Sequence, residues 1–242
     1  MSVAVAVAVA AVLATAGVAQ SLSGFGFALL SVPLLATLIG PRDAVVLSTC
    51  LGLMTSATLL ARNHHHARWP TVGRLLAGAV VGMPLGLLLL FGLRPGVLRA
   101  FIAVMVLVAV VLIARNVRLP VHGPGAEVTA GLVSGALNTS TSMNGPPLVI
   151  TLQGQGLPPD VFRATISAVF VASGVIATVT FAVAGQIDHT VLVGLAVGVP
   201  AVAAGFLGGE ALFRRTDPAR FRTIVLAMLT ASALVALVTL LF

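Results

Sequence analysis

The sequence predicts an all-α integral membrane protein whose two five-segment halves form an inverted-topology repeat. The prediction depends on three observations: an apolar composition, apolar runs that recur from end to end, and a pattern shared by the two halves. Of 242 residues, 59% are hydrophobic and 8% are charged, and the mean hydropathy is +1.15. Soluble domains carry about 25% charged residues, so this composition excludes a soluble domain larger than a loop.

The apolar runs differ in length, and the difference predicts their structure. A full membrane span needs about 20 residues, and the third to fifth and eighth to tenth runs approach that length. The first two runs of each half are shorter, and 25–40 and 145–157 begin with Gly-rich or Pro-rich sequence. Each half is therefore predicted to form a broken or re-entrant helical hairpin followed by three transmembrane helices. The ten runs are 3–20, 25–40, 44–61, 72–92, 97–115, 126–141, 145–157, 161–184, 189–212 and 219–241.

Matching residues indicate where the halves divide. They predict a first repeat at 1–118, an inter-repeat loop at 119–125 and a second repeat at 126–242. Because five segments per half is an odd number, the second half enters the membrane from the opposite side, which is a transporter architecture. The matches are Gly78, Gly82 and Pro84 with Gly194, Gly198 and Pro200, each 116 positions apart, Pro41-Arg42-Asp43 with Pro158-Pro159-Asp160, and Leu98-Arg99-Ala100 with Phe221-Arg222-Thr223.

Arginine placement predicts the orientation. All 13 basic residues are Arg and the net charge is +7. They occupy short loops between apolar runs, which encodes topology and argues against nucleic-acid binding. Ten fall on one side of the predicted membrane, and only Arg42, Arg94 and Arg99 on the other. The first side is therefore cytoplasmic, in a multi-pass protein of the cell (inner) membrane with both termini outside. The apolar segment at 1–17 lacks the basic start of a signal peptide and is expected to be retained.

Two polar, Gly-containing runs interrupt the apolar sequence at corresponding places, at 20–27 and 138–147. An open backbone in hydrocarbon costs several kcal/mol per unsatisfied group, so each run must lie in protein or beside a water-filled cavity. Ser, Thr or Asn can cap the helix that follows, and Pro146 and Pro147 suit its first turn. A helix N-terminus inside the membrane favours an anion. The alternatives are ordinary loops between full helices, or small-residue helix contacts.

The sequence in and around these two runs resembles the TauE/SafE sulfite-exporter family. The resemblance extends over essentially the whole chain, as one duplicated unit. The resemblance implies export of sulfite or an organosulfonate such as sulfoacetate. A transporter of another small anion or sulfur compound in the uptake direction is one alternative, and a membrane-embedded enzyme or assembly protein is another. The motifs are Ser23-Gly24-Phe25-Gly26-Phe27 through Val32-Pro33-Leu34-Leu35, Gly131 to Gly135, and Asn144-Gly145-Pro146-Pro147.

The substrate site is predicted near the membrane midplane, between the starts of the two half-helices. Arg163, just inside an apolar run, is expected to pair with an oxyanion from the cytoplasm; the alternative is a snorkelling Arg or an ion pair with Asp160. Asp43 and Asp160 are predicted to cap the helices they precede. The predicted substrate-binding residues are Gln20, Ser21, Ser23, Gly24, Gly26, Asn138, Thr139, Thr141, Asn144, Gly145, Pro146, Gln153 and Arg163.

The sequence predicts no catalytic residue, metal site or cofactor. It has no Ser-His-Asp set, phosphate loop or metal-ligand spacing, and the successive residues His64 to His66 cannot all face one ion. No carboxylate falls at a predicted mid-membrane position, where a proton relay usually needs one. The expected partners are a small anionic substrate and the lipid bilayer. The sequence leaves two alternatives for the oligomeric state, a monomer or a homo-oligomer, because the spacing of Gly78, Gly82 and Gly86 suits internal helix packing and dimerisation equally.

Overall fold

A computed structural model of the chain describes residues 1–115 and 123–213. In these ranges six helices are long and apolar enough to cross a membrane, namely α1, α3, α4, α5, α8 and α9. This confirms an all-helical integral membrane protein, whereas the predicted segment at 219–241 lies outside the described residues. The helices are α1 (Val3–Ser23), α2 (Phe27–Leu38), α3 (Pro41–Asn63), α4 (Trp69–Gly92), α5 (Pro95–Ala114), α6 (Pro124–Thr141), α7 (Gly145–Gly154), α8 (Pro159–Val183) and α9 (His189–Phe213), with a 3-10 turn at His64–His66 before α4.

Helix starts follow the local sequence, with two corrections. Proline lies in the first turn of α3, α4, α6, α7 and α8, where its missing N–H breaks no helical hydrogen bond. Asp43 and Asp160 are not caps: the capping positions belong to Gly40 and Pro158, without a side-chain cap bond. Both carboxylates lie within the first turn of their helices, where the helix dipole favours them. The predicted short first segment is also wrong, because α1 has 21 residues.

Helix α6 packs against α4 through glycine. A Cβ built on Gly78, Gly82 or Gly86 would lie 2.0, 2.0 or 2.1 Å from a carbonyl oxygen of α6. Real Cβ atoms do not approach backbone that closely, so only glycine permits this helix separation. In the described part of the chain, the glycine pattern of α4 therefore serves packing within the molecule. The facing oxygens are those of Val128, Leu132 and Ala136 respectively.

Helix α1 packs against α9 in a similar way. A Cβ on Gly205 would lie 2.0 Å from the carbonyl oxygen of Ala14, and one on Gly17 would lie 2.8 Å from that of Val202. Both contacts join backbone to backbone. The first helix of each predicted hairpin, α1 or α6, is therefore packed tightly against a long helix, α9 or α4.

Polar contacts at one end of the molecule gather several helix ends. Arg62 at the end of α3 forms an ion pair with Glu210 near the end of α9. Glu127 at the start of α6 forms an ion pair with Arg74 near the start of α4. Gln155, just after α7, donates to Glu127 at 2.9 Å. The chain thus returns from α7 to the side where α6 began, and α6 and α7 form a hairpin whose turn lies in the interior.

The opposite end has its own anchor. The Arg42 guanidinium, at the start of α3, donates to the carbonyl oxygens of Leu90 at 3.2 Å, Phe91 at 3.0 Å and Leu93 at 3.4 Å. These carbonyls belong to the end of α4, where helical C=O groups lack partners inside the helix. Helices α3 and α4 therefore run in opposite directions, and one arginine satisfies several carbonyls at that end.

Candidate functional site

Both predicted helix interruptions are present. Helix α1 ends at Ser23 and α2 begins at Phe27, and the glycines between them have positive φ, +76° at Gly24 and +108° at Gly26. Helix α6 ends at Thr141, and Ser142 follows with φ +60°. Among the described residues, Ser142 is the one non-glycine residue with positive φ. This backbone conformation is strained, and the surrounding contacts must stabilise it.

A cavity of about 50 Å³ lies between the two interruptions, with α3 and α8 as its walls. One water needs roughly 10–15 Å³ of such space, so the cavity holds a few waters or a small polar group. No charged side chain is among the described residues that line it. These residues are Gln20, Gly26, Phe27, Ala28, Leu29, Ser48, Thr49, Gly52, Leu53, Ser56, Asn138, Ser142, Met143, Asn144, Gly145, Phe170 and Gly174.

Gln20 organises the first interruption. Its Oε1 accepts from the backbone N–H of Phe27 at 3.1 Å, and its Nε2 donates to Ser56 Oγ at 3.3 Å. The side chain is 2% exposed. A residue of the preceding helix therefore satisfies the first amide of α2, since the capping residue Gly26 has no side chain to do so. An amide carries two N–H donors, so Gln20 retains donor capacity beside the cavity.

Asn138 and Asn144 organise the second interruption. Both amides donate to Ser173 of α8, Asn138 Nδ2 to the carbonyl oxygen at 3.3 Å and Asn144 Nδ2 to Oγ at 3.4 Å. Asn144 occupies the capping position of α7 but makes no side-chain cap bond, which corrects the predicted capping. Thr49 Oγ1 donates to Ser142 Oγ at 3.0 Å and ties α3 to the strained turn.

Five of the predicted site residues line the cavity: Gln20, Gly26, Asn138, Asn144 and Gly145. Three others do not, because their hydroxyls bond to helix carbonyls: Ser21 to Val18 at 2.8 Å, Thr139 to Met83 at 2.7 Å and Thr141 to Leu137 at 2.9 Å. Ser21 and Thr141 bond carbonyls of their own helices, as Ser and Thr commonly do, whereas Thr139 bonds a carbonyl of α4.

Pro146, Gln153 and Gly24 are not among the residues that line the cavity. Pro146 shapes the first turn of α7, and Gln153 lies in its last turn. Gly24 forms the turn after α1, and the side chain of Ser23 lies outside the described atoms.

Sequence reasoning missed the two walls. Ser48, Thr49 and Ser56 come from α3, and Phe170 and Gly174 from α8. The hydroxyls of α3 carried a usable signal, since polar residues in an otherwise apolar span usually face the protein interior. The residues of α8 carried none, because phenylalanine and glycine are equally ordinary in lipid-facing and packed positions.

Arg163 lies beside the first interruption rather than in the cavity. A Cβ built on Gly24 would be 3.8 Å from Arg163 Cγ and 3.9 Å from Nε. Nη2 donates to the carbonyl oxygen of Ser21 at 3.3 Å. Among the described residues Arg163 forms no ion pair with Asp160. Its Nε is buried without a hydrogen-bond partner.

The chain matches a known protein family over a range that includes both interruptions and every residue named above as lining the cavity. The family model for the sulfite exporter TauE/SafE matches residues 8–236. The chain is also similar to a probable sulfite/organosulfonate exporter TauE of Cupriavidus necator, with 26% identity over 220 residues. That alignment covers 87% of this chain and 85% of the relative. No solved structure gives a significant match.

Proposed function

The chain belongs to the TauE/SafE sulfite exporter family, and on that premise we propose that it exports sulfite or an organosulfonate such as sulfoacetate through the cavity between its two broken helices. Members of this family are transporters, so the protein is a multi-pass membrane transporter and not an enzyme. The proposed location is the cell (inner) membrane, with the arginine-rich end in the cytoplasm.

Equivalent helix contacts support the inverted repeat. Gly82 packs on Leu132, and Gly205 packs on Ala14. Gly205 lies 123 positions after Gly82, and Ala14 lies 118 positions before Leu132. The same two offsets relate the contact of Gly135 with Ala79 to that of Gly17 with Val202. Contacts that recur under fixed offsets favour two related units, proposed as residues 1–118 and 126–242 around a loop at 119–125.

Helix directions support the inversion of one unit relative to the other. Arg74 lies near the start of α4, and Arg62 just before that start pairs with Glu210 near the end of α9. The start of α4 and the end of α9 therefore lie on the same side of the molecule. Because α4 and α9 are each the fourth helix of their proposed unit, these equivalent helices run in opposite directions. For α4 and α9, the packing favours an alignment offset of 123 residues over the offset of 116 given by the sequence matches. The glycines placed by the shorter offset, Gly194 and Gly198, face the side chains of Leu47 and Leu51 and not backbone.

The cavity lining follows the repeat, which supports a site near the midplane where the units meet. Ten of its seventeen residues form pairs 118 positions apart. A site between inverted repeats is expected to draw on both in this way. The pairs are Gln20 with Asn138, Gly26 with Asn144, Phe27 with Gly145, Gly52 with Phe170, and Ser56 with Gly174.

The electrostatics of the cavity suit an anion. The starts of α2 and α7 both line it, through Phe27 and Ala28 and through Gly145. The first amides of a helix lack partners inside the helix and carry partial positive charge. Gln20, Asn138 and Asn144 add neutral N–H donors, and no carboxylate of the described chain lines the cavity. A cation would meet positive helix ends and no counter-charge.

A flux panel in proteoliposomes tests the proposed substrate class. Vesicles loaded with sulfite, sulfoacetate, sulfate or acetate should release sulfite or sulfoacetate fastest, because the family match indicates these compounds. Vesicles without protein give the background rate. Selective release of acetate, or release of none of the four above background, would contradict the proposal; selective accumulation of a sulfur anion against its gradient would favour uptake.

A further inference from the structure

Three buried side-chain donors of α8 have no hydrogen-bond partner in the described part of the chain, Arg163 Nε, Ser167 Oγ and Thr178 Oγ1, and none of these residues lines the cavity. Thr178 lies about three helical turns beyond Ser167, whereas Arg163 and Ser167 lie together towards the start of α8. Ser167 is 1% exposed. The two residues are four apart, so they are neighbours on one face of the helix. Buried donors without an acceptor are uncommon in proteins and need an explanation, such as a ligand absent from the structure.

The repeat explains why Ser167 lacks a partner. Ser167 lies 118 positions after Thr49, whose hydroxyl bonds both the carbonyl oxygen of Val45 at 2.8 Å and Ser142 Oγ at 3.0 Å. The position 118 before Ser142 is Gly24, which has the same left-handed backbone and no side chain. The second interruption thus supplies an oxygen to its wall, and the first interruption supplies none. Arg163 lies next to that gap, with its Nε 3.9 Å from where a Cβ of Gly24 would be.

We propose that Arg163 and Ser167 bind an oxyanion of the transported substrate beside Gly24, at a site separate from the cavity and nearer the arginine-rich end. This rests on the proposed function. Guanidinium N–H groups form short, charge-assisted hydrogen bonds to oxyanions, and a serine hydroxyl adds a neutral donor. The bond from Arg163 Nη2 to the Ser21 carbonyl at 3.3 Å holds the guanidinium in place.

The position of this site indicates its role in transport. Phe170 and Gly174 follow Ser167 by three and seven residues, so they share its helix face, and both line the cavity. Arg68, near the start of α4, donates its backbone N–H to Thr165 at 3.1 Å, which places this end of α8 among the arginine-rich loops. An anion leaving the cytoplasm therefore meets Arg163 and Ser167 first and reaches the cavity along the same face of α8.

Anion-dependent thermal unfolding of the purified protein in detergent tests the site directly. The parent is Asn144→Leu, in which the cavity has lost the N–H donors of Asn144, and the probes are sulfite and sulfoacetate. The parent should still show a saturable rise of the unfolding midpoint. Arg163→Gln should weaken the apparent affinity at least about tenfold, the scale of a lost hydrogen bond to a charged group. The control Arg68→Gln removes an exposed charge at the same end and should leave the affinity unchanged.

Gly24→Ser is the second variant, and it keeps every charge. Ser142 shows that serine adopts this backbone conformation in the protein. A Cβ at position 24 meets only Arg163 atoms, at 3.8 and 3.9 Å, which is ordinary contact. The new hydroxyl should accept from Ser167 and occupy the gap, so anion affinity should fall at least about tenfold while the midpoint without anion shows that the protein is folded.

The outcomes separate this site from the proposed function. Parent-like affinity in both Arg163→Gln and Gly24→Ser overturns the site, whatever the flux panel shows, as does the absence of saturable stabilisation in the parent. Arg163-dependent binding without any sulfite or sulfoacetate flux in the wild-type protein supports the site and contradicts the proposed export.

Discussion

Replacing Asn144 by leucine should slow sulfite efflux roughly ten- to a hundredfold while the protein stays folded. Asn144 lines the cavity, and its amide has a single long bond, 3.4 Å to Ser173 Oγ. Leucine is of similar size, removes the N–H donors and covers the start of α7 with apolar surface. A lost hydrogen bond to a charged group is worth about 1.5–3 kcal/mol, and each 1.4 kcal/mol corresponds to about tenfold.

The fold should tolerate this change because Asn144 supports structure mainly through its backbone. Its carbonyl oxygen accepts from Ser134 Oγ at 2.9 Å, which leucine would preserve, and its side chain makes no cap bond to α7. Asn63→Leu is the matched control, since its amide bonds to Leu59 at the end of α3, away from the cavity. Initial efflux rates in proteoliposomes decide the matter. Equal efflux rates in Asn144→Leu and Asn63→Leu would contradict the proposal that the substrate passes through the cavity.

Gly82→Val should destabilise the protein by more than about 3 kcal/mol, at or beyond the upper end of the usual cost of overpacking. The new Cβ would lie 2.0 Å from the carbonyl oxygen of Leu132 and 2.9 Å from its carbonyl carbon. Both atoms are backbone, so no side chain can move aside, and α4 and α6 must separate. That separation would also displace the α6–α7 turn beside the cavity. Native proteins are stable by about 5–15 kcal/mol, so the loss is a large share of the total.

Gly73→Val in the same helix is the matched control. A Cβ there meets nothing within 4 Å, and the residue is exposed, so the substitution should have little effect. Denaturant unfolding in detergent micelles, with the yield of folded protein as a second readout, compares the two. A Gly82→Val protein as stable as Gly73→Val would show that α4 and α6 are not packed at the distance described.

Local sequence predicted the interruptions and the helix starts, because both depend on residues close in the chain. Glycine at 24 and 26 permits positive φ, and Pro146 and Pro147 favour a helix start. The caps were harder to predict. Gln20 reaches the first amide of α2 from the preceding helix, and Asn144 points its amide at α8. Capping preferences are averages over many helices and do not anticipate a competing partner from another helix.

The walls and the alignment of the long helices depend on tertiary packing. Offsets of 116 and 123 differ by seven residues, which is about two helical turns, so the same face recurs and glycine spacing alone cannot choose between them. The backbone contacts of Gly82 and Gly205 favour the longer offset. Likewise, nothing local distinguishes Gly174, which lines the cavity, from Gly73, which touches nothing within 4 Å.

The dependence of efflux on membrane potential tests the central claim, that a cavity of neutral donors carries a sulfur anion outward. A potential of 100 mV, negative inside, contributes about 2.3 kcal/mol per charge to anion efflux, equivalent to roughly fiftyfold in the equilibrium distribution of a monoanion. Because no carboxylate lines the described cavity, a proton gradient should not be required. The measurement is sulfite efflux from wild-type and Asn144→Leu proteoliposomes under an imposed potassium diffusion potential. The account predicts efflux that accelerates with inside-negative potential in the wild-type protein and stays near background in Asn144→Leu; efflux that ignores the potential, or that strictly needs a proton gradient, would contradict it.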